Sequence, residues 1–390
     1  MASHAPHQLP PEAPAAARPV RAPALRLYRA DWRQLENPAE LVRWDALSRY
    51  AVEPNPFFES WYLLPSLRAL DPGGSVAMLL LEAEGQLAGL LPVQRARDYY
   101  GHPIPHWRNW IHANAFLGTP LVAPGFERQF WQCLFHWADE NAGTALFFHM
   151  AQMAEKGPLH RALVQYVDEA ARPAATVLRE ERAALISDLS PEEYLERSLS
   201  GKKRKELRRQ HRRLSEEGDL TVERKTGGDA LAQWTAEFLD LERSGWKGEA
   251  QSALDCTDQT RALFRNALQG AAEHGRLERI AIRLDGKPLA MLVNFLCPPG
   301  AFSYKTAFDE SFARYSPGVL LQRENLALLT RSDIAWTDSC AAADHPMIDH
   351  FWREKRNVAS HNIGIGGSLR RMAFRVLARI ETNTLPKGIA

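Results

Sequence analysis

The sequence predicts a mixed α/β protein built from two similar units. Segments with helical apolar spacing alternate with short apolar strands along most of the 390 residues, and this alternation is typical of sheets covered by helices. A strand–turn–strand hairpin also occurs twice. The segments EAEGQLAGLLPV (82–93) and RLDGKPLAMLVN (283–294) match in residue type at most positions when their turns are aligned. Because the flanking order of elements repeats as well, we predict a duplicated domain.

The first unit is expected to span 25–184. It follows an Ala- and Pro-rich segment, 1–24, that we expect to be a disordered tail. Its elements follow from apolar spacing and from Pro, Asn and Gly at their ends. In order, they are a strand (25–29), two helices (38–50 and 57–70), the hairpin (76–97), a strand (116–122), a helix (126–141), a strand (145–150), a helix (157–171) and a strand (175–189).

The second unit is expected to span 185–366, with a basic helical insertion at 191–217 and a basic C-terminal tail at 367–390. Ser190 and Pro191, with Glu193 following, form a typical helix start. The remaining elements are a strand (220–225), two helices (229–243 and 259–274) flanking a loop (244–248), three strands between 277 and 308, a helix (317–331), a strand (334–338), a helix (346–357), a strand (358–365) and a helix in the tail (369–380).

Composition argues against several classes of function. The formal net charge is +1, so no global charge attracts nucleic acid or a membrane. Cys133, Cys256, Cys297 and Cys340 are scattered without a CxxC pair, which argues against a zinc ribbon or a disulfide framework and fits a reducing cytoplasm. No apolar run approaches the roughly 20 residues that span a bilayer, and no HExxH motif occurs. We expect a cytoplasmic protein with no transmembrane segment and no metal.

An anion-binding segment is predicted where the chain reads Tyr315-Ser316-Pro317-Gly318. Pro and Gly at the start of a helix leave backbone N–H groups free, so a pyrophosphate can dock there. We interpret these four residues as the cofactor-binding segment.

Four further residues are candidates for chemistry or substrate binding. Tyr304 could protonate a leaving thiolate or pack in the core, and strict alternation would send Lys305 to the opposite face. Asp338 ends a strand and is well placed as a base or as an amine-binding group. Trp246 and Lys247 lie between two glycines, where they could wall a substrate pocket and bind an anion, or simply cap a helix.

The densest charge run, 201–213, could attract a CoA phosphate, an anionic substrate, RNA or a membrane, or form a solvated helix. Aromatic residues suited to base stacking do not interleave with it, so a nucleic-acid partner is not expected. The phosphate-loop GxxxxGK[ST], dinucleotide GxGxxG and nucleophile-elbow GxSxG motifs do not occur, which argues against ATP, NAD and serine-hydrolase chemistry.

The stretches NPFFESWYLLPSLRAL, GKKRKELRRQHRRLSEEG, LERSGWKG and YKTAFDESFARYSPGVLL resemble the CelD-like (cellulose-biosynthesis-associated) GNAT acetyltransferases of bacteria, over about residues 26–365. That family is similar in layout to the Fem-type peptidoglycan bridge transferases, which pair two GNAT-like domains and use aminoacyl-tRNA. The resemblance implies two tandem GNAT-like acyltransferase domains, mixed sheets flanked by helices, with acyl-CoA bound by the second. Two segments depart from the pattern: 314–318 keeps one glycine, and 339–346 lacks the Gly-containing, Tyr-Lys-bearing sequence.

We therefore expect an N-acyltransferase that moves an acyl group, acetyl in the first instance, from acyl-CoA directly to a primary amine or amino sugar in envelope or exopolysaccharide metabolism. One alternative is an aminoacyl-tRNA-dependent, Fem-like transferase. The other is a non-catalytic interaction protein of a polysaccharide-synthesis system. Acceptor, acyl length and oligomeric state stay open.

Overall fold

The computed structural model describes residues 24–343, 345, 347–383 and 389. Apart from Ala24, the predicted N-terminal tail lies outside them. The described strands are β1 (Leu25–Asp31), β2 (Ala77–Ala83), β3 (Gln86–Ala96), β4 (His106–Asn109), β5 (Leu121–Val122), β6 (Phe147–Ala154), β7 (Ala174–Leu185), β8 (Leu220–Thr226), β9 (Leu277–Leu284), β10 (Lys287–Cys297), β11 (Gly300–Phe308), β12 (Trp336–Asp338) and β13 (Glu354–Gly364). The described α-helices are α1 (Pro38–Tyr50), α2 (Ser60–Leu70), α3 (Glu127–Glu140), α4 (Pro158–Glu169), α5 (Pro191–Ser198), α6 (Gly201–Ser215), α7 (Leu231–Ser244), α8 (Trp246–Glu249), α9 (Asp258–Glu273), α10 (Pro317–Asn325) and α11 (Ser368–Thr382).

These strands form one sheet, in the order β1-β2-β3-β4-β6-β13-β7-β12-β11-β10-β9-β8, with β5 beside β3. The strand pairs follow the same sequence when counted inward from β1 or from β8. Three antiparallel pairs come first, then one parallel pair (β4 with β6, or β11 with β12), then one antiparallel pair. Helices α1 and α2 separate β1 from β2, just as α7 and α9 separate β8 from β9. The predicted mixed α/β class with two tandem units is confirmed.

The two hairpins share a detail that the residue alignment alone did not show. In the first turn Glu84 and Gly85 have φ of 50° and 80°, and in the second Asp285 and Gly286 have φ of 51° and 78°, as two-residue hairpin turns require. The second strand of each hairpin carries one extra residue three positions after the turn glycine, Ala88 in β3 and Leu289 in β10. The strand register therefore shifts at the same point in both hairpins. A bulge at matching positions supports the duplication.

The two units exchange their last strands. β7, from the first half of the chain, pairs with β12 of the second, while β13, from the end of the chain, pairs with β6 of the first. β7 and β13 then pair with each other at the centre of the sheet. The expected boundary between 184 and 185 falls at the end of β7, within this shared centre.

Several segments differ from the sequence-based expectation: for example, the strand expected at 116–122 is limited to Leu121–Val122, and the α-helix expected at 317–331 ends at Asn325. The segment 191–217 contains two helices, because Ser200 begins a new one: its Oγ accepts a hydrogen bond from the Lys203 N–H (3.3 Å). The loop 244–248 contains the helical turn α8. The helix expected at 346–357 was wrong: its described residues form a turn, and β13 begins at Glu354. Pairing of β13 with β7 decides the conformation there, since tertiary contacts override local propensity.

Packing of α2 against α9 joins the two units. Gly270 lets α9 approach α2 closely, since a Cβ at this position would lie 2.9 Å from the Cβ of Trp61. The buried Glu59 accepts hydrogen bonds from Trp61 Nε1 (2.7 Å) and Arg276 Nε (3.2 Å). A single apolar core contains side chains of both halves, including Phe57 and Phe264. The two units therefore fold around shared contacts.

Because several histidines are buried, we predict that the free energy of unfolding decreases at acidic pH. Burial lowers the pKa of His112 and His361 to about 3 and that of His149 to about 4. The unfolded chain binds protons near pH 6.5, so it takes up more protons than the folded chain between about pH 6.5 and 4. The free energy of unfolding should fall across this window, by up to ~1.4 kcal/mol per pH unit for each histidine.

Urea unfolding at several pH values between 7.5 and 4.5 measures this slope. His361→Leu should make this slope shallower, because one of the buried histidines with a lowered pKa is then removed. A free energy of unfolding that stays constant from pH 7 to pH 5 would contradict the prediction.

Candidate active site

The candidate active site lies where β11 and β12 separate. The strands pair in parallel only over 300–302 of β11. Beyond β12 the chain follows β7, since the Ser339 N–H donates to the Ala183 carbonyl oxygen (3.1 Å). Within the described residues, this leaves the 303–308 edge of β11 without a neighbouring strand, and a cavity of about 760 Å³ fills the gap. Such an edge offers backbone N–H and C=O groups to an extended ligand.

Residues of both units line the cavity. The second unit supplies β11, the junction of α7 and α8, and the segment 339–342, while the first supplies Phe116. Arg182 donates a hydrogen bond to the Phe116 carbonyl oxygen and so fixes this part of the wall. The cavity therefore depends on the packing of one unit against the other.

A β-bulge lies in β11 beside this cavity. Val293 pairs with Lys305, but the next residue of β10 pairs with Ser303, which leaves Tyr304 as the extra residue. Tyr304 and Lys305 both line the cavity, as do the other residues of 303–308. A bulge interrupts the alternation of side chains between faces, so the strict alternation assumed from the sequence does not hold across Tyr304.

The hydroxyl of Tyr304 is engaged within the protein. Tyr62 donates to the Asn114 carbonyl oxygen, so the 3.0 Å hydrogen bond between the two tyrosine hydroxyls has Tyr304 as its donor. Tyr304 is 3% exposed, and burial raises its pKa. In this arrangement the Tyr304 proton points toward Tyr62.

Lys305 is the cation that the sequence analysis did not select. Its Nζ lies 5.2 Å from the ring centroid of Phe116 and 5.6 Å from that of Tyr304, and among the described residues it has no hydrogen bond or ion pair. Burial and, to a smaller extent, the charge of Lys247 lower its pKa to about 8, and Glu242 opposes the shift. An amine that titrates near neutral pH can act as a base.

Trp246 and Lys247 both line the cavity. The Trp246 side chain is 55% exposed, and the backbone N–H of Trp246 donates to Glu310 Oε1 (2.9 Å). Lys247 Nζ forms an ion pair with Glu242 Oε1 (2.9 Å) and donates to the Thr306 carbonyl oxygen (3.3 Å). The two side chains thus form one rim of the cavity, with the charge of Lys247 balanced by a buried carboxylate.

The segment Tyr315–Gly318 lies behind the cavity wall. Ser316 has φ of 52° and begins α10, and its carbonyl oxygen accepts from the N–H groups of the third and fourth residues after it. Gly318 is buried, and a Cβ there would lie 2.7 Å from the sulfur of Met347 and 3.2 Å from the ring of Phe308. Both of these side chains line the cavity, whereas Tyr315 donates its hydroxyl proton to Glu217.

Asp338 is fully buried and does not line the cavity. Its Oδ2 accepts from Arg356 Nη1 (2.8 Å) and its Oδ1 accepts from the Cys340 N–H (2.8 Å). Cys340, which does line the cavity, has φ of 52°, a conformation that is uncommon for a residue other than glycine. The carboxylate thus holds the turn that carries the chain away from β11.

The equivalent gap in the first unit is closed. Here Asn109 of β4 spans the space between the strands, with Nδ2 donating to the Gly118 and Ala151 carbonyl oxygens (3.1 and 2.9 Å) and Oδ1 accepting from the Ala151 N–H (2.8 Å). The Gly118 N–H donates to the Gln152 carbonyl oxygen (2.7 Å). The first unit thus fills the gap between β4 and β6 with its own chain, whereas the second keeps a cavity at the matching position.

Comparisons with known proteins agree with this asymmetry. Residues 201–346 match the family model described as acetyltransferase (GNAT) domain. A crystal structure of FemX is similar over 87% of this chain and 98% of its own, with a TM-score of 0.54 and 10% identity. A conserved protein of unknown function from Bacteroides thetaiotaomicron VPI-5482 is similar over 83% of this chain and 97% of its own, with a TM-score of 0.53 and 12% identity. No curated protein matches the sequence.

At these identities the solved structures show a shared fold. The family match lies in the second unit and includes the open cleft, β11 and the residues around Lys305. Residues 201–346 thus resemble a GNAT acetyltransferase domain, within a chain whose two-unit fold is similar to that of FemX.

Proposed function

We propose that the protein is an N-acyltransferase that transfers an acyl group from acyl-CoA directly to a primary amine in the cleft beside β11. The observation that carries this proposal is the open cavity at the free 303–308 edge, in the unit that matches the GNAT domain. A cavity of this size is typical of small-molecule sites. The extended arm of a thioester donor can hydrogen-bond to the free strand edge.

Lys305 is the proposed base. The amine nitrogen attacks the thioester carbonyl carbon, the C–S bond breaks, and neutral Lys305 takes the proton that the amine loses. The released thiolate recovers this proton from the Lys305 ammonium, so the reaction needs no further reactant. Alignment of both reactants in one cleft supplies much of the rate enhancement.

The other predicted site residues take supporting roles in this proposal. Trp246 and Lys247 form the rim that meets the acceptor. Tyr304 packs against the acyl end and can donate a proton only after its hydroxyl leaves Tyr62. Asp338 positions the turn at Cys340 instead of touching substrate. The CelD-like resemblance, and with it the envelope or exopolysaccharide pathway, remains a prediction.

The donor's phosphates are assigned to the surface of α6 beside Ser316, because Gly318 at the start of α10 is buried behind Met347 and Phe308. Gln210 of α6 donates to Ser316 Oγ (3.1 Å), which brings α6 beside the predicted anion-binding segment. The outer face of α6 carries exposed cations: Lys202, Lys203, Lys205, Arg208, Arg212 and Arg213. The same basic surface favours the alternative donor, an aminoacyl-tRNA, because RNA offers many phosphates.

A ligand screen distinguishes these donors. Acetyl-CoA, longer acyl-CoAs, CoA and tRNA are each added to the full chain, and the melting temperature and thiol release in the presence of amines are measured. Stabilisation of about 2.7 kcal/mol is expected when a thioester donor is present at one hundred times its Kd.

Ala341→Trp, which fills the cavity, should abolish this stabilisation, whereas Val42→Trp on the exposed face of α1 should not. Stabilisation by tRNA and by no thioester would favour the Fem-like alternative. If no donor stabilises the protein and none releases a thiol, the result would favour the non-catalytic interaction protein.

A further inference from the structure

The C-terminal helix α11 has two apolar faces, and only one of them is covered. Phe374 and Ala378 are buried against Phe147 and Ala175 of the sheet. The opposite face carries four large apolar side chains at spacings of three and four residues, so they form one stripe along the helix. The stripe consists of Leu369 (76% exposed), Met372 (58%), Val376 (60%) and Ile380 (75%).

Cations border this stripe on both sides. Counted at 3.6 residues per turn, Arg370 lies on one side and Arg375 and Arg379 on the other. None of the three forms an ion pair or hydrogen bond with a described residue. Arg371 differs, because it points inward and donates to Asp139 Oδ2 (2.8 Å). The exposed half of α11 is therefore apolar at its centre and positive at its edges.

The acidic groups nearest to α11 do not offset this charge. Asp139 is held by Arg371 and Arg172. Glu381 accepts hydrogen bonds from the hydroxyl of Tyr99 (2.6 Å) and from Asn362 (3.2 Å). The three unpaired arginines thus face solvent without a carboxylate partner among the described residues.

We propose that α11 binds the protein reversibly to a lipid bilayer with an anionic surface, lying in the plane of the interface. An apolar stripe bordered by arginines is the pattern that inserts between acyl chains while its cations meet lipid phosphates. Among the described helices, none combines the length and apolar content needed to cross a bilayer.

The charge of α11 favours an anionic bilayer over two other possible partners, a second copy of the chain and the N-terminal segment. A second copy docked stripe to stripe would bring six unpaired arginines together without acidic partners, which is unfavourable. The N-terminal segment 1–23 contains Arg18 and Arg21 against the single acid Glu12, so it does not complement the arginines either. An anionic lipid surface complements both the stripe and its border.

Vesicle co-sedimentation of the full chain tests the proposal. Binding is expected to phosphatidylcholine vesicles containing one quarter phosphatidylglycerol, and to weaken about tenfold or more with pure phosphatidylcholine or in high salt. Met372→Glu with Val376→Glu should abolish binding, and Arg375→Gln with Arg379→Gln should weaken it about tenfold or more. Val42→Glu, which places the same charge on another exposed apolar residue, should bind like the parent protein.

Far-ultraviolet circular dichroism and thermal melting verify that each variant is folded. Absence of binding to the anionic vesicles would overturn the proposal. So would a dimer in sedimentation equilibrium that Met372→Glu with Val376→Glu dissociates, because a second copy would then occupy the stripe.

Discussion

Replacing Lys305 with Met should make the protein more stable and about a hundredfold or more slower in acyl transfer. The transfer rate falls because a positioned base typically contributes about 10²–10⁴-fold. Stability rises because the folded state holds this amine at a pKa of about 8, well below its unfolded value of about 10.4. At pH 7 the folded chain therefore bears the cost of a buried charge, up to a few kcal/mol at ~1.4 kcal/mol per pKa unit. A Lys305→Met variant that is more stable but less active would show that the loss of activity reflects a catalytic role of Lys305 and not misfolding.

The pH dependence gives a second measurement. With an acceptor whose own amine titrates well below neutral pH, kcat/KM should rise with pH through about 8, as Lys305 becomes neutral. Lys305→Met should lose this rise of kcat/KM with pH, and Lys287→Met, at the exposed start of β10, should keep it. Asp338→Asn should lower stability, since it leaves Arg356 without its carboxylate, but should retain the rise. Loss of the rise in Asp338→Asn and not in Lys305→Met would identify Asp338 as the base.

Replacing Gly118 with Ala should be among the most damaging single changes in the chain. An added Cβ would overlap the Ala151 carbonyl oxygen and the side-chain amide of Asn109, and neither group can move without breaking the hydrogen bonds that close the first cleft. Lost hydrogen bonds and backbone displacement together should lower the free energy of unfolding by about 3 kcal/mol or more.

Urea unfolding of Gly118→Ala and Gly73→Ala side by side measures this difference. Gly73 is the matched control, because an added Cβ meets no atom within 4 Å there. An unfolding midpoint for Gly118→Ala equal to that of Gly73→Ala would show that the closed cleft tolerates expansion.

Elements with strong local signals were predicted well. Helix α1 was predicted at its observed bounds, Pro38–Tyr50, because Asn37 caps it and Pro38 begins it. The capping box of Ser190 and Glu193 is present as expected. Duplication was read from the hairpins, whose turn residues fix both the conformation and the register.

Features that depend on distant contacts were not predictable in the same way. The exchange of β7 and β13 joins residues about 180 positions apart, and no local pattern encodes such pairing. Trp246, Lys247 and Tyr304 line one cavity, and the roles assigned to them from the sequence stay predictions. The bulge beside Lys305 arises only from the pairing of β10 with β11. The burial of Asp338 behind Arg356 likewise required the three-dimensional arrangement.

The exchange of β7 and β13 between the two units determines when the centre of the sheet can form during translation. As the ribosome releases the chain, the first unit emerges with β6 lacking the neighbour that it will eventually have, because β13 is translated about 200 residues later. Sheet closure at the middle must therefore wait until translation is nearly finished. A truncated gene product ending before Glu354 would expose two strand edges at once, and such fragments are expected to aggregate.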